Sequence, residues 1–554
     1  MKGWKYSGSM GAVMIMMLAI FSPLWGEETA APPAATAVAE PAPVAAPPAP
    51  DPNGSNTGGI SDVTAKIPGK PTLEELAAET GHTKVAVNMV WTLTAGFLVM
   101  FMQAGFALVE TGLTRAKNAA HTMGMNFMVY AMGMTGFWIM GYALMYGGVG
   151  ALGTLGGTPL LDSEVTLTLF GKPFGLFGTK GFFLGNGVYD VAIFTMFLFQ
   201  MVFMDTAATI PTGAMAERWK FLPFVIFGFF LSMFTYPIFG NWVWGGGWLA
   251  QLGANFGFGH GSVDFAGSSV VHMVGGVTAL AGGIVIGARI GKYNKDGSVN
   301  PIPGHHLPMA IVGTFILAFG WFGFNAGSSL AGTDLRIAVV AVNTMLASAS
   351  GAIAAMIYMW TRYGKPDPSM MANGMLAGLV AITAPCAFVT AASAFIIGGI
   401  AGVLVCISVF FVEQKLKVDD PVGAISVHGV CGAFGVLSVG LFADGTYGDG
   451  LNGVKGAVRG LFYGDAGQLV AQLIDIGANF VFIFGASYIF FKIVEVTIGN
   501  RVSPQVELEG LDIPEMGALA YPEFALSHMP TPSDGYIAPV TAQKSPGKKE
   551  EVLR

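Results

Sequence analysis

The chain has 554 residues, of which 53% are hydrophobic and only 11% charged, with a formal net charge of −7. Soluble domains carry about 25% charged residues, so this composition excludes an ordinary water-facing globule, and so modest a net charge points to no nucleic-acid partner. Three cysteines, Cys386, Cys406 and Cys431, sit in apolar segments without CxxC spacing and read as buried free thiols.

In chain order, residues 1–26 read as a secretory signal peptide, with Lys2 and Lys5 ahead of the apolar run Gly11 to Phe21. The cleavage site is not of clear A-x-A type, which leaves an uncleaved anchor as the alternative. Residues 27–84 form an exported linker; its Ala/Pro/Gly-rich stretch 27–70 has almost no aromatics and cannot bury a core. Eleven apolar spans follow within a domain over 85–498, at 86–113, 119–148, 187–213, 219–239, 267–289, 308–329, 335–360, 368–388, 390–413, 424–443 and 465–497. Runs of this length cross a hydrocarbon layer about 30 Å thick. The 79 glycines suit helices packed closely in lipid, where small residues let backbones approach. Five short loops carry Arg115, Lys117, Arg218, Lys220, Arg289, Lys292, Lys295, Arg362, Lys365, Lys415 and Lys417. The longer loops of the opposite side carry only Lys172, Lys180, Arg336, Lys455 and Arg459. Positive charge is retained on the cytoplasmic side, so the amino terminus is expected outside and the tail 499–554 in the cytoplasm.

Two spans share a pattern: Asp264 stands eight residues before His272, and Asp420 eight before His428. They are the fifth and tenth spans. A period of five is odd, so the second unit enters the membrane from the opposite side, giving a five-plus-five inverted repeat of the kind that builds transporters around a route near the midplane. At about 1.5 Å per residue each His lies roughly 12 Å in from its Asp. A lone intramembrane His bonding a backbone carbonyl would be unremarkable. A symmetric pair flanked by Gly275, Gly276, Gly429 and Gly432 points to function, because ionisable groups at that depth are costly. Two histidines without a carboxylate or thiolate partner make a poor zinc set, and no metal or other cofactor is expected. Phe199 and Phe203 are four apart, on one helix face. Phe324 lies in the run Trp321-Phe-Gly-Phe324-Asn-Ala-Gly-Ser328, and Trp244 opens a Trp-Gly-Gly-Gly turn. Aromatic faces attract a cation by roughly 0.5–2 kcal/mol each. No nucleophile, metal set, hydrolase motif or redox motif suggests an enzyme.

These runs, with Ala104-Gly-Phe-Ala-Leu-Val-Glu110-Thr-Gly-Leu-Thr-Arg115-Ala-Lys117-Asn, Gly213-Ala-Met-Ala-Glu217-Arg218, Asp264-Phe-Ala-Gly-Ser-Ser-Val-Val-His272, Asp419-Asp-Pro, Val427-His-Gly-Val-Cys-Gly and Glu509-Gly-Leu-Asp512, resemble the ammonium transporter (Amt) family, bacterial type, over about residues 85–520. The resemblance implies an all-α integral membrane fold in the cell inner membrane, periplasmic at the amino terminus, assembled as a homotrimer with one path per eleven-helix subunit. It implies ammonium or ammonia as cargo, with methylammonium as analogue. Trp244, Phe199 and Ser328 resemble the outer recruitment site, supported by Asp264 through backbone carbonyls. Phe203 and Phe324 resemble the stacked gate, His272 and His428 the twin histidines of the pore and proton relay, and Trp321 and Tyr236 its wall. Rh proteins lack the Trp and Ser of the recruitment site, which separates them from this chain. A PII-class signalling protein on the cytoplasmic face is an expected partner, and an ammonium sensor acting through the C-terminal tail is the alternative function. Asp205 departs from the usual small residue and is expected to face away from the Phe pair. Glu110 is expected to pair with Arg115 or Lys117, and Asp475 has no role legible in the sequence.

Overall fold

The coordinates are a computed structural model, and they describe residues 60–147, 153–156, 163–185, 191–447 and 454–523. The expected signal peptide, the linker up to residue 59 and the tail beyond residue 523 lie outside the described residues. Contacts divide the chain into two units, Met1–Pro71 and Thr72–Arg554. The described part of the first holds a 3₁₀ turn at Ile60–Asp62 and a second turn in which the Lys70 N–H donates to the Ile67 carbonyl at 3.0 Å.

Among the described residues of the second unit, ten helices are long and apolar enough to cross a membrane: α1 Leu73–Leu113, α2 Ala116–Tyr146, α3 Val191–Met215, α4 Phe221–Val243, α5 Ser268–Ile286, α6 Leu307–Ala326, α7 Ile337–Tyr363, α9 Ala391–Leu416, α10 Ile425–Phe442 and α11 Ala466–Thr497. A shorter apolar helix, α8 Pro368–Thr383, occupies the position of the eighth predicted span. The first helix starts at Leu73, well before residue 86, because Thr72 and Glu75 form a reciprocal cap: each backbone N–H donates to the other's side chain. Asp367, Thr390 and Asp465 likewise cap α8, α9 and α11 with their side chains. Helix α8 stops before the predicted limit of 388 because Pro385 has no N–H to continue it. The polar insert after α2 contributes the antiparallel hairpin β1 Glu164–Leu169 and β2 Lys172–Gly178, a small addition to an otherwise helical chain.

Helices α3 and α5 are the most enclosed, each with 83% of its most apolar stretch buried, against 28% for α11. The outer helices expose Val90, Phe101, Phe315, Val342, Val481 and Ile489, faces that need hydrocarbon or another apolar surface around them. Four of the positively charged loops meet at one end of the bundle. There Arg289 binds Asp419 through two nitrogens, at 2.8 and 2.9 Å, and Glu217 at 3.0 Å. Arg115 pairs with Glu217 from the α1–α2 loop, and Arg218 donates to the carbonyls of Ala216, Gly287 and Asp419. The segment after α11 docks on the same end: Asp512 accepts from the His121 amide, Glu515 from the Phe221 amide, and Glu507 from the Ile290 amide and Arg501.

Candidate functional site

Two breaks in helical structure build the site. Where Pro385 ends α8, the carbonyls of Thr383 and Ala384 lose their helical donors, and within a membrane such groups need partners. They accept from the amides of Ala266 and Phe265 at 3.2 and 3.3 Å, while the Ala384 amide donates to Ser268 Oγ at 2.7 Å. The segment before α5 is thereby sewn to the end of α8. Gly267, at φ +116°, turns the chain there. The Asp264 carboxylate then receives the amides of Gly267, Ser268, Ser269 and Val270 at 2.8–3.0 Å, the four orphan donors at the start of α5. Asp264 therefore organises the backbone amides at the start of α5. Its own carbonyl oxygen accepts from Trp244 Nε1 at 2.6 Å, which fixes the indole.

The repeat holds at the second unit. Asp420 accepts from the amides of Gly423 and Ile425 at 3.0 and 2.7 Å, and both α5 and α10 open with a π-helical turn that carries the His, Ser268–Met273 and Ile425–Val430. The helices cross at glycines. A Cβ on Gly276 would overlap the backbone of Gly429, and one on Gly432 would come 2.7 Å from the Ser268 carbonyl oxygen. This closeness lets the imidazoles meet: His272 Nδ1 and His428 Nδ1 are 3.1 Å apart, with ring centroids at 5.2 Å. Gly276→Val is expected to destabilise the protein by about 1–3 kcal/mol through overpacking and to lower uptake of the cargo that the resemblance implies, checked by thermal unfolding in detergent and by uptake into vesicles reconstituted from the same preparation. Normal uptake with an unchanged midpoint would show that the crossing tolerates a larger spacing.

From this pair a file of rings runs toward Trp244. His272 lies nearly flat against Trp321 and Phe324, with centroids at 5.2 and 5.4 Å. Phe324 stacks on Phe203 at 4.0 Å and 22°, and Phe203 meets Trp244 edge-on at 6.1 Å and Phe199 at 4.6 Å. Phe203, Phe324, Trp321 and His272 are fully buried, and Trp244 and Ser328 are half-buried. Trp321 is held by a hydrogen bond from Nε1 to Thr383 Oγ1 at 2.9 Å. The Ser328 hydroxyl donates to the Phe324 carbonyl at 2.8 Å, which leaves its oxygen able to accept from an N–H donor. Tyr236 is fully buried with its ring edge-on to Phe137 at 6.3 Å, and no ring contact joins it to Phe203, Phe324 or His272. On the other side of the pair, the Phe106 ring is 6.0 Å from His428, beside a small cavity that Glu110 also lines.

Of three buried acids, Glu110 departs from its sequence reading, Asp205 follows it and Asp475 gains a role. Glu110 pairs with neither Arg115 nor Lys117. Asn126 and Thr212 each donate to its carboxylate at 2.7 Å, while Arg115 serves Glu217 and Lys117 Nζ donates to the carbonyls of Glu507 and Leu508. Asp205 is buried toward Gly133 of α2, a direction that the two-residue step from Phe203 implies. Asp475 takes hydrogen bonds from the hydroxyls of Ser262 and Ser269, on either side of the Asp264 turn, so it braces that turn from α11. The proline in the eighth predicted span was the available signal for the α8 break; nothing local marked Asp475 or Thr383. Among the described residues no group of three His, Cys, Asp or Glu side chains is placed to hold a metal.

A family model described as Ammonium Transporter Family matches residues 90–521. The chain is 46% identical over 454 residues to ammonium transporter Amt2 of Archaeoglobus fulgidus, covering 81% of this chain and 92% of that relative. It is 38% identical over 452 residues to ammonium transporter Amt1 of Haloferax mediterranei, covering 79% and 80%. Among solved structures it matches a sensor Amt protein with TM-score 0.68 and 36% identity, covering 79% of this chain and 100% of that one. It matches Candida albicans Mep2 with TM-score 0.64 and 27% identity, covering 76% and 86%.

Proposed function

Because the chain belongs to the Ammonium Transporter Family, we propose that it recruits ammonium at a periplasmic site of Trp244, Phe199 and Ser328, passes ammonia between Phe203 and Phe324, and carries the proton separately over His272 and His428. The observation that carries the reading is the 3.1 Å contact between the two Nδ1 atoms at the end of an unbroken file of rings.

Taking a bare cation to the bilayer centre costs several kcal/mol, whereas neutral ammonia gives up far less on entering an apolar slot. At the outer site, hydration is replaced by the indole and phenyl faces, about 0.5–2 kcal/mol each, and by the Ser328 oxygen. The stacked pair at 4.0 Å leaves no room for a hydrated ion, so ammonium reaches it only by shedding water. Deprotonation at that point lets ammonia continue past Trp321.

The imidazole pair supplies the proton's route. Nδ1 facing Nδ1 requires one ring to donate and the other to accept. A proton arriving on His272 Nε2 makes an imidazolium. Transfer across the Nδ1 contact moves the charge to His428, and release from its Nε2 completes the passage with both tautomers reversed. His272 Nε2 has no hydrogen-bond partner among the described residues, which suits an arrival point. We place the recruitment end in the periplasm and the charged end in the cytoplasm from the Lys/Arg asymmetry of the loops, in a homotrimer of the family type, with a PII-class protein as partner of the cytoplasmic face.

The test uses purified protein on a supported membrane, with ammonium pulses evoking current. Trp244→Leu removes the cation-attracting face and the bond to the Asp264 carbonyl. It is expected to raise the half-saturating concentration by roughly fivefold, about 1 kcal/mol of recruitment, with little change in maximal current. An unchanged concentration dependence would remove Trp244 from recruitment. An absence of any ammonium-evoked current from wild type would remove charge movement from the mechanism.

A further inference from the structure

The geometry points to Glu110 as the group that takes the proton from His428 and returns it to ammonia at the end of the path farthest from Trp244. This inference rests on the relay reading above and extends it by one station.

Phe106 and Glu110 are four apart on α1 and share a face. The Phe106 ring neighbours His428, and Phe106, Glu110 and His428 all line one cavity. The remaining wall is apolar apart from Asn373, whose amide is engaged with the Val422 carbonyl at 3.2 Å. A proton leaving His428 into that cavity therefore meets one other titratable side chain. Asp420, nearby, has its carboxylate engaged by the amides at the start of α10.

The surroundings of Glu110 fit this task. It is buried at 2% exposure, yet both neighbouring cations are committed elsewhere, Arg115 to Glu217 and Lys117 to backbone carbonyls. Its contacts are neutral donors: Asn126 Nδ2 and Thr212 Oγ1 both reach Oε2, each at 2.7 Å, and the Gly213 backbone amide also faces the carboxylate. Asn126 is itself fixed by Thr209 at 3.1 Å. A guanidinium would pin a carboxylate in its charged form; neutral donors orient it and leave the proton free to come and go. A group that exchanges protons in a closed site needs that freedom.

The step balances. The Nε2–H bond of the His428 imidazolium breaks, an O–H bond forms on Glu110, and His428 is left neutral. The lone pair of the emerging ammonia takes the proton from the carboxylic acid, Glu110 returns to carboxylate, and ammonium leaves.

Reconstituted wild type, E110Q, E110D, E110H and H272A are compared by ammonium-evoked current on a supported membrane. Glutamine keeps an acceptor for Asn126 and Thr212 but carries no exchangeable acid proton. E110Q is expected to lose current by about tenfold or more, within the range of general acid–base contributions. Its half-saturating concentration and thermal midpoint should stay near wild type, because recruitment happens at the other end. E110D and E110H, which keep a titratable group, are expected to recover at least about threefold over E110Q; if E110Q does not fold, these two decide against H272A. Wild-type current in E110Q overturns the inference. So does equal loss in all three Glu110 variants together with a lowered midpoint, which marks a structural role. If H272A keeps wild-type current, it is the relay reading itself that falls; if H272A loses current while E110Q keeps it, only the station at Glu110 falls.

Discussion

Alanine at either His272 or His428 is expected to lower ammonium-evoked current by about tenfold or more, at least 1.4 kcal/mol on the barrier. Each substitution removes one half of the 3.1 Å contact and leaves the surviving imidazole facing apolar walls. The rings of Trp321, Phe324 and Phe106 around the pair offer no group that both accepts and donates a proton near neutral pH. Folding should survive, because among the described residues the two imidazoles hydrogen-bond each other and are positioned by the glycine crossing of α5 and α10 and the two Asp-capped turns. Replacing either His with Asp has a different expected outcome. A fixed negative charge in the corridor stabilises a bare cation there, so selectivity for ammonium over potassium should fall along with the altered conduction. If both single alanine variants carried methylammonium current like wild type, the relay would be wrong whatever the structure looks like.

The largest loss of stability is expected from Arg289→Ala. This guanidinium is 3% exposed, binds Asp419 through two nitrogens and also reaches Glu217. Removing it leaves two buried carboxylates with one cation fewer between them, a situation that costs about 3–5 kcal/mol. The thermal midpoint in detergent should drop by on the order of 10 °C, by the usual few degrees per kcal/mol. Arg289→Lys should recover only part of this, since an ammonium cannot make the two-nitrogen contact. The double variant R289M/D419L should be more stable than R289A, because the stranded charge goes too. Acid gives an independent check. Burial pushes the Asp419 carboxyl up, but Arg218 and Arg289 outweigh it and hold the group well below the usual carboxylate range. A group depressed on folding contributes stability that is fully present above its unfolded value, about 4, and is lost as pH falls further. The wild-type midpoint should thus be flat from pH 5 to 8 with respect to this group and fall on acidification below pH 4. R289A should show a weaker acid dependence. A midpoint for R289A within a degree or two of wild type would deny the cluster its role in tying the loops together.

Much of the molecule is legible in its sequence. The spans were legible because a membrane segment is marked by local composition: some twenty apolar residues without charge. The predicted limits 187 to 213, 308 to 329 and 465 to 497 fall close to α3, α6 and α11. The shared Asp-to-His spacing pointed to a repeat, and the structure gives both copies the same local build, an Asp capping a π-helical turn. The aromatic file was legible through the resemblance of its motifs, whereas the stacking at 4.0 Å was not.

What the sequence settled alone were properties that depend on neighbours within a few residues: hydrophobic length, sidedness of charge and the Asp–His spacing. Tertiary structure decided which partner each buried polar group takes. Arg115 and Lys117 lie five and seven residues from Glu110, yet the carboxylate bonds Asn126 and Thr212 instead, while Arg115 crosses to Glu217. Asp475 finds Ser262 and Ser269 more than 200 positions away. The carbonyls freed at Pro385 find the amides of Phe265 and Ala266. In a medium without water every polar group needs a protein partner, and which one lies within 3 Å is fixed by how helices cross, a fact no local window contains.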